Sequence, residues 1–215
     1  MELFDSIKTA LVACEKEKLN RLVNEALQKD VPAKDILNQG LISGMDIVGE
    51  RMQKGDMFIP EVLMAAQCMA RAVELLKPLL GDEDQKAAGH IIIGTVKGDL
   101  HDIGKNLVIM MMESAGFHVT DLGVDVPPET FIKAIEENEV DILALSALLT
   151  TTMPMMEKTI DAVKESGLRQ NMRILVGGAP VTREFADTVG ADGYAPDAGS
   201  ASKLAKELCL QEELK

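Results

Sequence analysis

His90-Ile91-Ile92-Ile93-Gly94-Thr95-Val96, followed at once by Lys97-Gly98-Asp99-Leu100-His101-Asp102-Ile103-Gly104, is the stretch that decides how this chain folds. The first run is β-branched and continuously apolar, the pattern of a strand buried on both faces. From Gly104 to Gly116 the apolar spacing turns helical. Between strand and helix lies a turn with a carboxylate two residues before a histidine. Such a turn can hold an imidazole at the open end of a parallel sheet, where folds of this kind bind their ligands. Asp99 and His101 are therefore the first candidate functional pair.

The alternation continues to the end of the chain. Strand-like runs at about 90–96, 118–123, 141–146, 173–177 and 193–195 are separated by helical patterns near 104–116, 128–138, 152–167 and 181–189, with a last helix over about 199–213. Strands alternating with helices mean βαβ units and a parallel sheet. The predicted class is α/β: a flavodoxin-like (Rossmann-like) sheet of five parallel strands in the order 2-1-3-4-5, helices on both faces.

Residues 1 to about 80 carry the helical period only. Leu3, Phe4, Ile7 and Leu11 mark a first amphipathic helix, and Leu19, Leu22, Val23, Ala26 and Leu27 a second. Pro32 suits the first turn of a third. That helix carries Ile36, Leu37, Leu41, Ile47, Val48 and Met52, and its Gly40 and Gly44 offer a neighbour a close approach. Gly55 to Ile59 breaks the pattern, and Pro60 opens a fourth helix to about Leu80. Short loops between four such helices imply an antiparallel bundle. The polar run Gly81-Asp82-Glu83-Asp84-Gln85-Lys86 sets the expected boundary, giving a helical domain over 1–82 and an α/β domain over 88–215.

A net charge of −13 is spread along the 215 residues. This argues against nucleic acid as a partner, because phosphates call for clustered Lys and Arg. Cys14, Cys68 and Cys209 lie far apart in helical patterns, where a small buried thiol belongs, and show no metal-like spacing. No charged segment followed by an apolar core opens the chain, and no apolar run approaches bilayer length. The expected setting is cytoplasmic and reducing. His90 and His118 each open a strand and are expected to face solvent, outside any cluster that would hold zinc.

Three turns that follow strand carboxyl ends carry unusual content: Gly98 to Gly104 after the first strand, Ser146-Ala147-Leu148-Leu149-Thr150-Thr151-Thr152 after the third, and Gly177-Gly178-Ala179-Pro180 after the fourth. They should meet along one edge of the sheet. Taken singly each has an ordinary explanation: a helix N-terminal histidine, loop hydroxyls, a tight glycine turn. Their mutual spacing is what distinguishes them.

Together the three turns resemble the cobalamin-binding signature Asp-x-His-x-x-Gly, Ser-x-Leu, Gly-Gly. In this chain 41 residues separate Gly104 from Ser146 and 28 separate Leu148 from Gly177, the intervals of that signature. The first half is similar to the helical cap domain of cobalamin-dependent methionine synthase, from Gly44-Met45-Asp46-Ile47-Val48-Gly49 through Met57-Phe58-Ile59-Pro60. The resemblance covers nearly the whole chain in one frame. It is greatest for the stand-alone corrinoid proteins of methylotrophic methyltransferase systems, found in archaea and anaerobic bacteria.

This resemblance implies cobalamin or a related corrinoid as cofactor, as methylcob(III)alamin or cob(I)alamin, bound with its own base off the cobalt and a protein histidine on. His101 is then the cobalt ligand, Asp99 its hydrogen-bond partner and Thr152 the relay hydroxyl, where the family often has serine. A carboxylate behind a ligating imidazole fixes its tautomer and raises its basicity. Gly98, Leu100, Asp102 and Gly104 belong to the cofactor-binding turn. Ser146 and Thr150 contact the buried nucleotide tail beside Leu148, Gly177 and Gly178 line its channel, and Ala198 lies near its far end. Met52, Met57, Phe58, Ile59 and Val62 fall in the cap, which covers the upper face and shields the methyl group.

The implied role is a methyl carrier, not catalytic alone, since the cofactor supplies the chemistry. A substrate-specific methyltransferase subunit serving methanol, methylamines, methoxylated aromatics or betaines would load it. A second methyltransferase would pass the methyl group to a thiol or tetrahydrofolate-type acceptor, and a reductive reactivation protein would restore the cobalt. No nucleic-acid or membrane partner is implied, and the motif does not specify the donor. Other readings stay open: a cobalamin-dependent sensor or transcription regulator, against which the acidic first helices count; the small subunit of a carbon-skeleton mutase, against which the cap counts; and a flavodoxin-like domain without a corrin.

Overall fold

A computed structural model of the chain describes residues 2–80 and 87–210. It divides into two compact units, one of residues up to Ala87 with Ser114–Gly116, the other of Ala88–Glu113 and Phe117 onward. The expected boundary at Gly81–Lys86 lies outside the described residues, as does any helix beyond Leu210. Among the described residues no helix is long and apolar enough to cross a membrane.

The first unit is built of α1 (Glu2–Val12), α2 (Lys16–Gln28), α3 (Ala33–Asp35), α4 (Ser43–Gln53) and α5 (Ile59–Leu76). Residues recurring every three or four positions are buried: Ile7, Ala10 and Leu11 on α1, Leu19, Val23 and Ala26 on α2, Val62, Ala65, Met69 and Leu76 on α5. Burying each large one contributes roughly 2 kcal/mol. The third expected helix is helical from 33 to 53, but its middle, Ile36–Ile42, is wound as a π-helix. A Cβ added at Gly40 would stand 2.9 Å from Ile7 Cγ2, and one at Gly44 2.7 Å from Leu11 Cδ2, so α1 makes the close approach these glycines offer. Ile59 already belongs to α5, with Lys54–Phe58 forming the break. The fourth helix gives way to a 3-10 turn over Lys77–Leu79, where Pro78 lacks the N–H an α-helix would use.

The second unit alternates β1 (His90–Thr95), α6 (Ile103–Ser114), β2 (His118–Asp121), α7 (Pro128–Glu136), β3 (Ile142–Ser146), α8 (Met153–Glu165), β4 (Arg173–Gly177), α9 (Arg183–Val189), β5 (Gly193–Ala195) and α10 (Ala198–Leu210). Every ladder is parallel and the strand order is β2-β1-β3-β4-β5, the order the alternation predicts. Ile91, Ile92, Ile142, Leu143 and Ile174 are fully buried. Phe131 and Ile135 of α7 and Met156, Ile160 and Val163 of α8 close the core over Ile92, Leu143 and Ile174. Ser202 Oγ on α10 donates to Met111 O on α6 at 3.3 Å.

His90 departs from expectation. It is half-buried, with Nδ1 2.9 Å from Glu139 O and Nε2 2.8 Å from Thr120 Oγ1, so neighbouring chain rather than water meets its ring nitrogens. His118 is exposed, its ring centroid 4.6 Å from that of His90.

The chain builds β2 on one side of β1 and β3 on the other. A crevice therefore opens where the carboxyl ends of β1 and β3 diverge. The loops that follow these two strands supply the site.

Candidate functional site

β1 ends at Thr95, and the chain turns through Gly98 at φ +83° before α6 begins at Ile103. Thr95 Oγ1 donates to His101 O at 2.9 Å, drawing the turn back over the strand end. Asp99 points inward and has no exposed surface. Its carboxylate accepts from five donors. Oδ1 takes His101 N–H at 3.1 Å and faces His101 Nδ1 at 2.7 Å. Oδ2 takes Leu148 N–H at 2.8 Å, Leu149 N–H at 3.3 Å and the Thr152 hydroxyl at 2.6 Å. Thr152 Oγ1 also lies 2.9 Å from Leu149 O, but its one proton favours the shorter contact to the carboxylate.

Burial pushes the Asp99 carboxyl up, yet the hydrogen bonds from Thr152, the His101 ring, Leu148 N–H and His101 N–H together outweigh it. They hold the group well below the usual carboxylate range. A carboxylate can only accept, so Nδ1 carries a proton, and in the neutral ring the lone pair is on Nε2. Among the described residues nothing hydrogen-bonds to Nε2, and the His101 side chain is 49% exposed. The site thus presents one oriented imidazole nitrogen to whatever enters the crevice. The methyl group of Thr152, absent from a serine, costs no geometry: a Cβ built at Gly98 would still be 3.7 Å from it.

Thr95, Ser146, Gly177 and Ala195 stand side by side at the carboxyl edge, across about 14 Å at the usual strand spacing. Ser146 ends β3, and neither its hydroxyl nor that of exposed Thr150 has a hydrogen-bond partner among the described residues. Gly178, at φ +130°, admits no side chain, because a Cβ there would stand 1.8 Å from Ala147 O. Asp102 and Gly104 are exposed beside His101, and nothing lies within 4 Å of where a Gly104 Cβ would be. Ala198 opens α10 and is buried.

Of the five residues expected in the cap, Met57 and Val62 are buried, Met52 is half-buried, and Phe58 and Ile59 are exposed. Met57 is thus buried beside the exposed Phe58 and Ile59.

Two features escape the sequence reading. Leu100, Ile103, Leu148 and Leu149 are the exposed large apolar residues described in the sheet unit; Leu100, Leu148 and Leu149 lie in the two loops joined through Asp99, and Ile103 opens α6 beside them. Ile103 and Leu149 carry no motif; an apolar residue in a turn is the signal that would have found them. The turn after β2 is the other. Gly98 N–H donates to Asp125 Oδ1 at 2.6 Å and Asp125 N–H to Asp99 O at 2.9 Å, although no pattern of chemistry-bearing residues marks that turn.

A doubly wound parallel sheet whose switch point presents a carboxylate-oriented imidazole among exposed apolar loop residues defines a domain for an organic metal cofactor. Comparison with known proteins narrows that class. Residues 89–202 match a family described as B12 binding domain, and residues 3–77 a second family of the same description. Over 208 residues, 97% of each chain, the sequence is 43% identical to dimethylamine corrinoid protein 3 of Methanosarcina acetivorans. The fold is similar to a cobalamin-binding protein from Desulfitobacterium hafniense, with a TM-score of 0.84 and 33% identity over 95% of this chain and 98% of that one. It is also similar to a chain of the methanol:cobalamin methyltransferase complex from Methanosarcina barkeri, with a TM-score of 0.82 and 30% identity over 97% of this chain and 80% of that one. The chain belongs to the family of B12-binding corrinoid proteins.

Proposed function

We propose that this chain is a corrinoid methyl carrier in which His101 Nε2 would ligate the cobalt. The observation that carries this reading is the free Nε2, its tautomer set by a buried Asp99 that can only accept. Among the described residues no group of three or more His, Cys, Asp or Glu could hold a bare ion. A metal at Nε2 must then bring its other ligands with it, as a corrin ring does.

A bound corrinoid supplies a cobalt that takes up a methyl group and gives it away. The protein's own part is to hold, orient and exclude water. Asp99 and Thr152 fix the direction of the ring, and the exposed leucines and Ile103 offer apolar surface around it. The unpartnered hydroxyls of Ser146 and Thr150 and the side-chain-free edge at Gly177 and Gly178 suit a polar nucleotide tail threading along the sheet, with Ala198 toward its end. For residues 1–82 we propose the shielding role of a cap. Phe58→Ala should then speed photolysis of the methyl-loaded protein, and an unaltered rate refutes the role.

The family works with methyltransferase partners. For this chain the relatives' names favour a methylamine as donor, delivered by a donor-specific methyltransferase, with a second methyltransferase and a reductive reactivation protein completing the cycle. Nothing in the fold or the relatives favours a sensor or regulator. The test is reconstitution of the purified chain with cobalamin. The absorption spectrum should be that of a base-off, imidazole-ligated form, lost in His101→Gly and restored by added imidazole. A spectrum indifferent to His101→Gly would show that cobalt is held some other way.

A further inference from the structure

We infer that Asp125, in the turn after β2, is a positioning residue that clamps the Gly98–Asp99 backbone and so sets where His101 stands. This rests on the reading of His101 as the cobalt ligand. Gly98 N–H donates to Asp125 Oδ1 at 2.6 Å, and Asp125 N–H donates to Asp99 O at 2.9 Å. The two bonds run in opposite directions between the same pair of segments, so neither sliding nor rotation of one against the other keeps both. Flanking bonds dock the turn: Thr95 N–H to Gly123 O and Val126 N–H to Thr95 O, each 3.0 Å, with Val96 and Val126 bridged in parallel.

Asp125 does this from a strained backbone. Its φ is +55°, a value shared among the described non-glycine residues only by Cys14 and Asp30 of the helical unit. Asp tolerates that region better than most residues, because its short polar side chain can hydrogen-bond locally. Glycine would fit the backbone without strain but has no carboxylate to meet Gly98 N–H. Asp99 is thus held from two sides. The turn after β3 grips its carboxylate through Leu148, Leu149 and Thr152, and Asp125 grips its main chain. With the Asp125 carboxylate removed, its N–H still meets Asp99 O but Gly98 N–H loses its acceptor, so the Gly98–Asp99 peptide gains room to rotate and the path from Asp99 to the imidazole shifts with it.

The test compares wild type, Asp125→Gly and Asp125→Asn. Glycine relieves the positive φ, which offsets part of the lost hydrogen bond and of the freer unfolded chain, so the cofactor-free variant should remain folded well above the temperature of the measurements, which separates positioning from stability. In cofactor-free Asp125→Gly, hydrogen exchange at the Gly98 amide should quicken about fivefold, as expected for one lost hydrogen bond. In the Co(II) cobalamin-loaded variant, the ratio of cobalt with protein-nitrogen coupling in the paramagnetic resonance spectrum to cobalt without it should drop by a similar factor. Asn keeps an acceptor oxygen and tolerates the backbone, so Asp125→Asn should recover most of both.

Wild-type coupling in Asp125→Gly overturns the inference, whether or not Gly98 exchange has quickened. A wild type that itself lacks protein-nitrogen coupling overturns the ligand assignment, and this inference with it. The two failures are told apart by which protein shows them.

Discussion

Replacing Asp99 by Asn exchanges one oxygen for NH2 with almost no change of shape, yet every partner of that carboxylate is a donor. Placed at the Oδ2 position, the amide nitrogen faces Leu148 N–H. Thr152 can turn its proton to Leu149 O, 2.9 Å away, and accept instead, but the Leu148 amide has no such freedom. Placed at the Oδ1 position, the amide nitrogen faces His101 N–H and Nδ1. The ring relieves half of this conflict by accepting at Nδ1, which moves its proton to Nε2 and removes the lone pair from the open side. The first placement leaves the backbone donors of Leu148 and Leu149 unmet and the second that of His101, a loss of about 1–3 kcal/mol. The charge-assisted bonds that Asn makes only weakly bring the total to about 2–4 kcal/mol.

That is a large share of a typical domain stability of about 5–15 kcal/mol. Urea unfolding of the cofactor-free protein should therefore show a clearly lowered midpoint for Asp99→Asn and a smaller loss, about 1 kcal/mol, for Thr152→Val. Titration with cobalamin should show affinity lowered about 10–100-fold by Asp99→Asn. If Asp99→Asn unfolded at the wild-type urea concentration and bound cobalamin as tightly, the five-donor account of this site would be wrong.

The remaining predictions follow from the same geometry. The depressed carboxyl of Asp99 contributes stability that is fully present above its unfolded value of about 3.9 and is lost as pH falls from there through the folded value. Acid unfolding of wild type should thus steepen below about pH 4, and Asp99→Asn should lack that component; equal acid slopes contradict it. Gly178→Ala, with its Cβ 1.8 Å from Ala147 O at φ +130°, should cost about 3 kcal/mol or more in urea unfolding. Gly104→Ala has nothing within 4 Å; the cofactor-free protein should be unchanged or stabilised by up to about 1 kcal/mol, while cobalamin binding weakens as the methyl fills the crevice. Thr150→Val should leave stability alone and weaken cobalamin about fivefold, as for one hydrogen bond. It should not weaken cobinamide, which has no nucleotide tail; equal effects on both ligands place Thr150 away from the tail.

Much of this was legible because it is one-dimensional. A β-branched run such as Ile91–Ile93 is buried on both faces wherever it sits in a parallel sheet, and alternating periods call for such a sheet, for which the order 2-1-3-4-5 is a common one with five strands. Asp99 and His101 are two residues apart, so the turn itself brings them together. Ser146, Thr152 and Gly177 are far from them in the chain, but each follows a strand end, and the sheet register aligns strand ends. What was not legible depends on which surface a residue meets. Met57 and Leu149 are both apolar residues outside a helix interior; one is buried and the other exposed, and nothing local separates them. The π-wound Ile36–Ile42 has the same apolar spacing as an α-helix, and His90 is held by Glu139 O, in the connection before β3, and Thr120 Oγ1 of β2, partners brought near only by the pairing of β1 with its neighbours.

Asp125 shows why a motif search stops short of a site. Its contribution is one backbone N–H, one oxygen and a positive φ, none of which needs a distinctive neighbour in sequence. The residues of the signature supply the groups that face a ligand. Their precision is set by main-chain donors: Leu148 and Leu149 on one side of Asp99, Asp125 on the other, with Thr95 holding His101 O. A strand order that reverses between β1 and β3 is what places these donors around a single turn, two on the Asp99 carboxylate, one on its carbonyl and one on that of His101, so the aim of Nε2 belongs to the topology as much as to the histidine. Grafting Asp-x-His-x-x-Gly onto a parallel sheet without a reversal at that strand should therefore give an imidazole with no fixed direction, and cobalt affinity no better than a surface histidine provides.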